Sequence, residues 1–98
     1  MTIEIKRNAE QTIIELAGRL DTTTAPALDK TISRDIADAK HLVLDIKKLE
    51  YISSAGLRVI LGAQKKMQKI GSMKVINVRE EVMEVFEMTG FADILTIE

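Results

Sequence analysis

Ninety-eight residues suffice for one domain with one core, residues 1–98, and are too few for two. A formal net charge of -1 argues against direct nucleic-acid binding, and the three aromatics Tyr51, Phe86 and Phe91 supply no stacking platform for single strands. The absence of cysteine removes disulfides, thiolate chemistry and the usual structural zinc sites, and no leader or apolar run near ~18 residues marks a membrane segment, so a cytoplasmic protein without a membrane partner is expected.

Thr2 to Arg7 alternates, with Ile3 and Ile5 on one face and Glu4 and Lys6 on the other, the pattern of a half-buried strand. Asn8-Ala9-Glu10 reads as a turn. Gln11 to Ala17 is a second, β-branched strand that pairs with the first as a hairpin, and Gly18 is expected to end it. The polar loop that follows closes with Thr24 as candidate N-cap and Pro26 in the first turn of a helix expected to run to about Ala39, burying Leu28, Ile32 and Ile36.

His41 to Ile46 is a near-continuous apolar run, as in a central strand, and Lys47-Lys48-Leu49-Glu50 leads out of it. From about Ser54 to Ile70 a long helix is expected, with Leu57, Ile60, Leu61, Met67 and Ile70 on its inner face and Arg58, Lys65, Lys66 and Lys69 exposed. Gly71 reads as a left-handed stop, and Met73 to Val78 as a further strand. Glu80 and Glu81 open a third helix with Val82, Val85 and Phe86 inward; Gly90 stops it, with Phe91 placed for the accompanying apolar contact. Ile94 to Ile97 reads as a last short strand. The order β-β-α-β-α-β-α-β implies an α/β fold: a mixed sheet of about five strands with helices packed mainly on one face. A response-regulator receiver, suggested by Asp45 near a strand end, would need more βα units than this length holds.

The junction Tyr51-Ile52-Ser53-Ser54-Ala55-Gly56-Leu57 sets two serines where a helix begins. A helix start has backbone N–H groups without intrahelical partners and a partial positive charge, so a phosphate on a hydroxyl there would be stabilised. One serine can equally be a plain N-cap. Neither is followed three residues later by Glu or Gln, since Gly56 and Leu57 stand there, so the reciprocal capping box is missing.

Ser53-Ser54-Ala55-Gly56-Leu57, with Gly18-Arg19-Leu20-Asp21 upstream and Met88-Thr89-Gly90-Phe91 downstream, resembles the anti-sigma factor antagonist family of STAS domains over essentially the whole chain. That family usually carries Asp-Ser-Ser/Thr-Gly-Leu in this loop and is phosphorylated on the serine after the Asp position. The resemblance puts Ser53 at the Asp position, Ser54 at the phosphoacceptor and Ala55 at the second hydroxyl. It implies a partner-binding surface of Asp21, Thr23, Ser53, Ser54, Ala55, Gly56 and Arg58. It also implies a cycle: the unmodified protein binds an anti-sigma factor that is a serine kinase of the GHKL ATPase type, freeing a sigma factor. Phosphorylation of Ser54 ends the interaction, and a serine phosphatase resets it. Two departures stand out, Ser53 in place of the acidic residue and Ala55 in place of the second hydroxyl.

No catalytic residue, cofactor or metal is expected in the chain itself, because the kinase would bring nucleotide, metal and base. No Gly-rich phosphate loop or Gly-x-Ser-x-Gly elbow is present, and the one histidine, His41, reads as a strand-edge surface residue. A non-switching STAS interaction module, docked on a transporter or in a stressosome-like assembly, is the alternative, with Ser54 a cap. An enzyme using Ser54 as nucleophile lacks a base or orienting acid at recognisable spacing. Asp21 also has a purely local reading, as a turn residue whose carboxylate bonds nearby backbone.

Overall fold

In the structure, a computed structural model that describes residues 1–8, 10–35 and 40–98, the two alternating segments form β1 (Thr2–Arg7) and β2 (Gln11–Leu20). They pair antiparallel with Ile3 opposite Leu16 and Ile5 opposite Ile14, so the apolar residues of both strands reach the same face. Asn8 shapes the hairpin turn, its Oδ1 accepting from the N–H groups of Glu10 and Gln11. Ala9, the middle of the expected turn, lies outside the described residues.

The remaining elements are α1 (Ala25–Asp35), β3 (His41–Ile52), α2 (Ser54–Ile70), β4 (Ser72–Ile76), α3 (Glu80–Thr89) and a 3-10 turn at Phe91–Asp93. The sheet order is β1-β2-β3-β4, with β2, β3 and β4 mutually parallel. Parallel neighbours cannot be joined by a tight turn; α1 and α2 are the crossovers. One apolar cluster joins Ile14, Leu16, Leu42, Leu44, Ile46, Met73 and Val75 of the sheet to Leu28 and Ile32 of α1, Leu57, Ile60 and Met67 of α2, and Val82 and Phe86 of α3. Burial of this cluster is the main stabilising term. The intervening strand residues Glu4, Lys6, Asp45 and Lys47 form the other, polar face of the sheet, where Lys6 and Glu15 pair at 3.0 Å.

Several expected boundaries move. β2 does not stop at Gly18; it continues to Leu20, and Gly18 sits inside it at φ 96°, beside a register shift. β3 does not stop at Ile46. Two irregularities, where Ala17 pairs with Lys48 and Arg19 with Tyr51, insert extra residues into it, and the buried positions change spacing from Leu42, Leu44 and Ile46 to Leu49 and Ile52. A bulge keeps inward residues inward when period two fails, which is why the polar Lys47-Lys48 pair reads misleadingly as an exit. β4 ends at Ile76, because Asn77 takes φ 57°.

The fifth strand is a correction. The N–H groups of Ile94 and Leu95 turn back to the Phe91 carbonyl, and the expected strand reaches β4 through a single parallel bridge, Ile97 to Val75, so among the described residues the sheet has four strands. Gly71 is not a left-handed stop: its φ is 177°, and what it supplies is room, since a Cβ there would overlap the Lys40 carbonyl that accepts from the Ser72 N–H. Gly90 does take the left-handed conformation, at φ 81°, and its N–H donates to the Glu87 carbonyl. Ile70, expected inward, is 51% exposed, whereas Ala63 and Gln64 are buried. The expected end of α1 near Ala39 and the burial of Ile36 lie outside the described residues.

Candidate functional site

The parallel register brings the ends of β2 and β3 level, with Arg19 opposite Tyr51 and Leu20 opposite Ile52. Leu20 and Ile52 are buried, so alternation turns Arg19 and Tyr51 outward, and the Arg19 guanidinium lies 4.2 Å from the centre of the Tyr51 ring. The Ser53 N–H then donates to the Leu20 carbonyl at 2.9 Å. That bond holds the two exits together, and the Asp21 turn and the start of α2 leave the sheet side by side at its carboxyl end. Crevices outside strand carboxyl ends are where α/β sheets generally place binding sites.

The Asp21 turn is built by its own side chains. Asp21 Oδ1 accepts from the Thr23 hydroxyl at 2.7 Å, the Thr23 N–H at 2.9 Å and the Thr24 N–H at 3.2 Å, while Thr24 Oγ1 accepts from the Asp21 N–H at 2.8 Å. Asp21 Oδ1 thus caps the turn that leads into α1, while the hydroxyl of Thr24, the expected N-cap, accepts from the Asp21 N–H as the Glu of a capping box does. The Thr23 hydroxyl and these N–H groups favour the charged carboxylate and hold its pKa below the usual 3.8. A lowered folded-state pKa stabilises the fold above the ordinary value, and the contribution is lost as pH falls through the folded-state value. Thermal unfolding from pH 7 to pH 2 is accordingly expected to show the wild type stabler than Asp21→Asn at neutral pH, with the gap closing below about pH 4; a gap independent of pH would contradict this.

At the second exit Ser53 is the N-cap. Its backbone is extended (φ -99°, ψ 174°), and its Oγ accepts from the Gly56 N–H at 3.4 Å, a long bond. Ser54 is the first residue of α2; it is exposed, and its hydroxyl bonds to no described residue. Of the two serines the sequence leaves open, Ser53 thus takes the capping role, and the Ser54 hydroxyl is left out of it. Ala55 is half-buried, Gly56 is buried, and Arg58 is exposed one turn along the helix.

Gly56 is where the helix start meets the sheet. A Cβ there would stand 2.6 Å from Leu20 Cγ and 3.1 Å from Ile52 Cγ1. Both neighbours are buried and cannot swing away, so Gly56→Ala is expected to lower stability by about 1–3 kcal/mol, through overpacking at the junction. Denaturant unfolding checks this, an unchanged midpoint being the contrary result.

Asp21, Thr23, Ser53, Ser54, Ala55, Gly56 and Arg58 all belong to these two adjoining exits. Arg19 and Tyr51 join them without having been singled out from the sequence; counting outward from buried Leu20 and Ile52 is the signal that finds them. Arg19 Nε is also 3.9 Å from Asp21 Oδ2, so the pair is continuous with the turn. Two other residues stand apart from the site. His41 begins β3 at the opposite end, exposed, with Nδ1 2.7 Å from Ser72 Oγ. Asp45 lies within β3, where Oδ1 accepts from the Lys47 N–H and from Asn77 Nδ2, both at 3.1 Å. Lys65, Lys66 and Lys69 form an exposed helix face as expected. Among the described residues no group of three or more His, Asp or Glu is placed to hold a metal, and no helix is long and apolar enough to cross a membrane.

A family model for the STAS domain matches residues 2–98. The anti-sigma-B factor antagonist of Bacillus subtilis is 30% identical over 98 residues, spanning 99% of this chain and 90% of that protein. The anti-sigma F factor antagonist of Paenibacillus polymyxa is 34% identical over 102 residues, spanning 99% and 86%. In fold, the chain matches the crystal structure of an anti-sigma factor antagonist from Mycobacterium paratuberculosis with a TM-score of 0.89 at 24% identity, over 98% of this chain and 83% of that one. It matches the phosphorylated form of the Bacillus cell-fate determinant SpoIIAA with a TM-score of 0.78 at 19% identity, over 99% and 91%.

Proposed function

The chain belongs to the STAS domain family, and we propose that it acts as an anti-sigma factor antagonist switched by phosphorylation of Ser54. Unmodified, the single domain binds an anti-sigma factor through the surface of Asp21, Thr23, Ser53, Ser54, Ala55, Gly56 and Arg58, and so frees a sigma factor. The anti-sigma factor is also a serine kinase of the GHKL type. Its ATP donates the γ-phosphoryl group to Ser54 Oγ, the hydroxyl proton passes to a base of the kinase, and ADP leaves. A serine phosphatase hydrolyses the ester and restores the binding form. The cycle is placed in the cytoplasm.

The observation that carries this reading is the division of labour between the serines. Ser53 Oγ serves the helix cap, whereas Ser54 Oγ is exposed and unengaged among the described residues, beside the Asp21 turn. A kinase can therefore reach Ser54 without unmaking the cap. Adding ~1.5–2 negative charges there suits the helix start, whose first N–H groups lack intrahelical backbone partners, and puts a charge into the middle of a docking surface. The fold survives phosphorylation and the interface does not.

All chemistry in this cycle is done by the partners, and this chain supplies only a correctly presented hydroxyl and a surface. Incubation of the protein with the kinase-type anti-sigma factors of its own genome and ATP, followed by fragment-mapped mass measurement, tests it. Phosphate on Ser54 supports the switch; failure with every such kinase would favour a non-switching interaction module.

A further inference from the structure

The charge pattern along α2 runs against the usual rule at its start. Helices favour acidic residues in the first turn and basic residues late, because the N-terminus carries partial positive charge. Here the first turn has no acidic residue, and the first charged residue of the helix is Arg58, in the second turn. From Ser54 to Gln64 it is the sole charged side chain. Arg58 is exposed and makes no ion pair with any described residue.

Residues four apart on a helix lie one above the other, and Ser54 and Arg58 have that spacing. A phosphoserine oxygen and a guanidinium one turn away are within reach of charge-assisted hydrogen bonds, and the planar fork of Arg can engage two phosphate oxygens at once. The arrangement lacks an anion and has a cation waiting where that anion would be held.

We propose that Arg58 is the residue that clamps the phosphate of Ser54, an intrahelical pair between positions 54 and 58 that forms only after modification. The inference deepens the reading of Ser54 as phosphoacceptor and rests on it. Its consequence is that phosphorylation alters the docking surface twice, by adding a charge and by drawing Arg58 away from the partner. The modified state then carries its own stabilising contact.

The test uses the full chain carrying phosphoserine installed at position 54 during synthesis, so that it does not depend on any kinase. Arg58 is exposed, so Arg58→Ala and Arg58→Lys are expected to fold. In the wild type, phosphoserine should shift the Arg58 Nε–H resonance and slow its exchange with water. It should also raise Tm by about 2–4 °C more than it does in Arg58→Ala, with Arg58→Lys recovering part of the difference. An Arg58 resonance unmoved by the phosphate, with equal Tm changes in wild type and Arg58→Ala, overturns the proposal. Failure of the parent reading looks different: the kinases leave Ser54 unmodified, or phosphoserine at 54 leaves anti-sigma binding intact.

Discussion

Ser54→Asp is expected to fold as the wild type does and to bind the anti-sigma factor more than a hundredfold more weakly. Ser54 is exposed and its side chain bonds to no described residue, so replacing it removes nothing from the fold. An acidic residue in the first turn is favourable for a helix that has none of its own. The same carboxylate enters the docking surface, and a desolvated charge without a partner there costs about 3 kcal/mol, a factor above one hundred in affinity. Ser54→Ala should bind as the unmodified protein does and remain bound when kinase and ATP are supplied. Calorimetric titration gives the affinities, and circular dichroism with thermal unfolding gives the fold. Wild-type affinity in Ser54→Asp, or release of Ser54→Ala on addition of ATP, would contradict the account.

Phe86→Ala is expected to have the largest effect on stability, a loss of about 3–5 kcal/mol. Phe86 is fully buried on the inner face of α3 and belongs to the cluster that holds the three helices to the sheet. Truncation removes its transfer free energy and leaves a cavity that close-packed neighbours cannot fill. At roughly 4–8 °C per kcal/mol for a domain of this size, Tm should fall by at least about 12 °C. A fall of only a few degrees would mean that α3 is not anchored through this residue.

Much of this fold is legible in the sequence because its signals are local. Period-two alternation places β1, a β-branched run places β2, the apolar face of Leu57, Ile60 and Met67 places α2 from Ser54 to Ile70, and Gly90 ends α3 as its left-handed φ requires. What is misread depends on contacts distant in sequence. The bulges of β3 come from its pairing with β2, so nothing within Lys47-Lys48-Leu49-Glu50 announces that the strand continues. Gly71 is a glycine because the Lys40 carbonyl lies against it, a tertiary fact that looks in sequence like an ordinary helix stop. The last residues have strand composition but reach β4 at one bridge, since the 3-10 turn takes up the preceding chain.

The candidate site is drawn in outline from its two loops, through the motif resemblance more than through physics. Composition cannot tell which of two adjacent serines caps the helix; the extended backbone of Ser53 and its bond from the Gly56 N–H settle that. The Arg19–Tyr51 stack needs the strand register; the bonding of the Asp21 carboxylate to nearby backbone is the local reading the sequence offers, and only the return bond from the Asp21 N–H to Thr24 Oγ1 needs coordinates.

The most direct test of the central claim is fragment-mapped mass spectrometry of the protein isolated from its own cells, with and without phosphatase inhibitors. One phosphate is expected, located on Ser54 and more abundant when the inhibitors are present. A chain unmodified under both conditions, or a phosphate on Ser53 with Ser54 free, would contradict it.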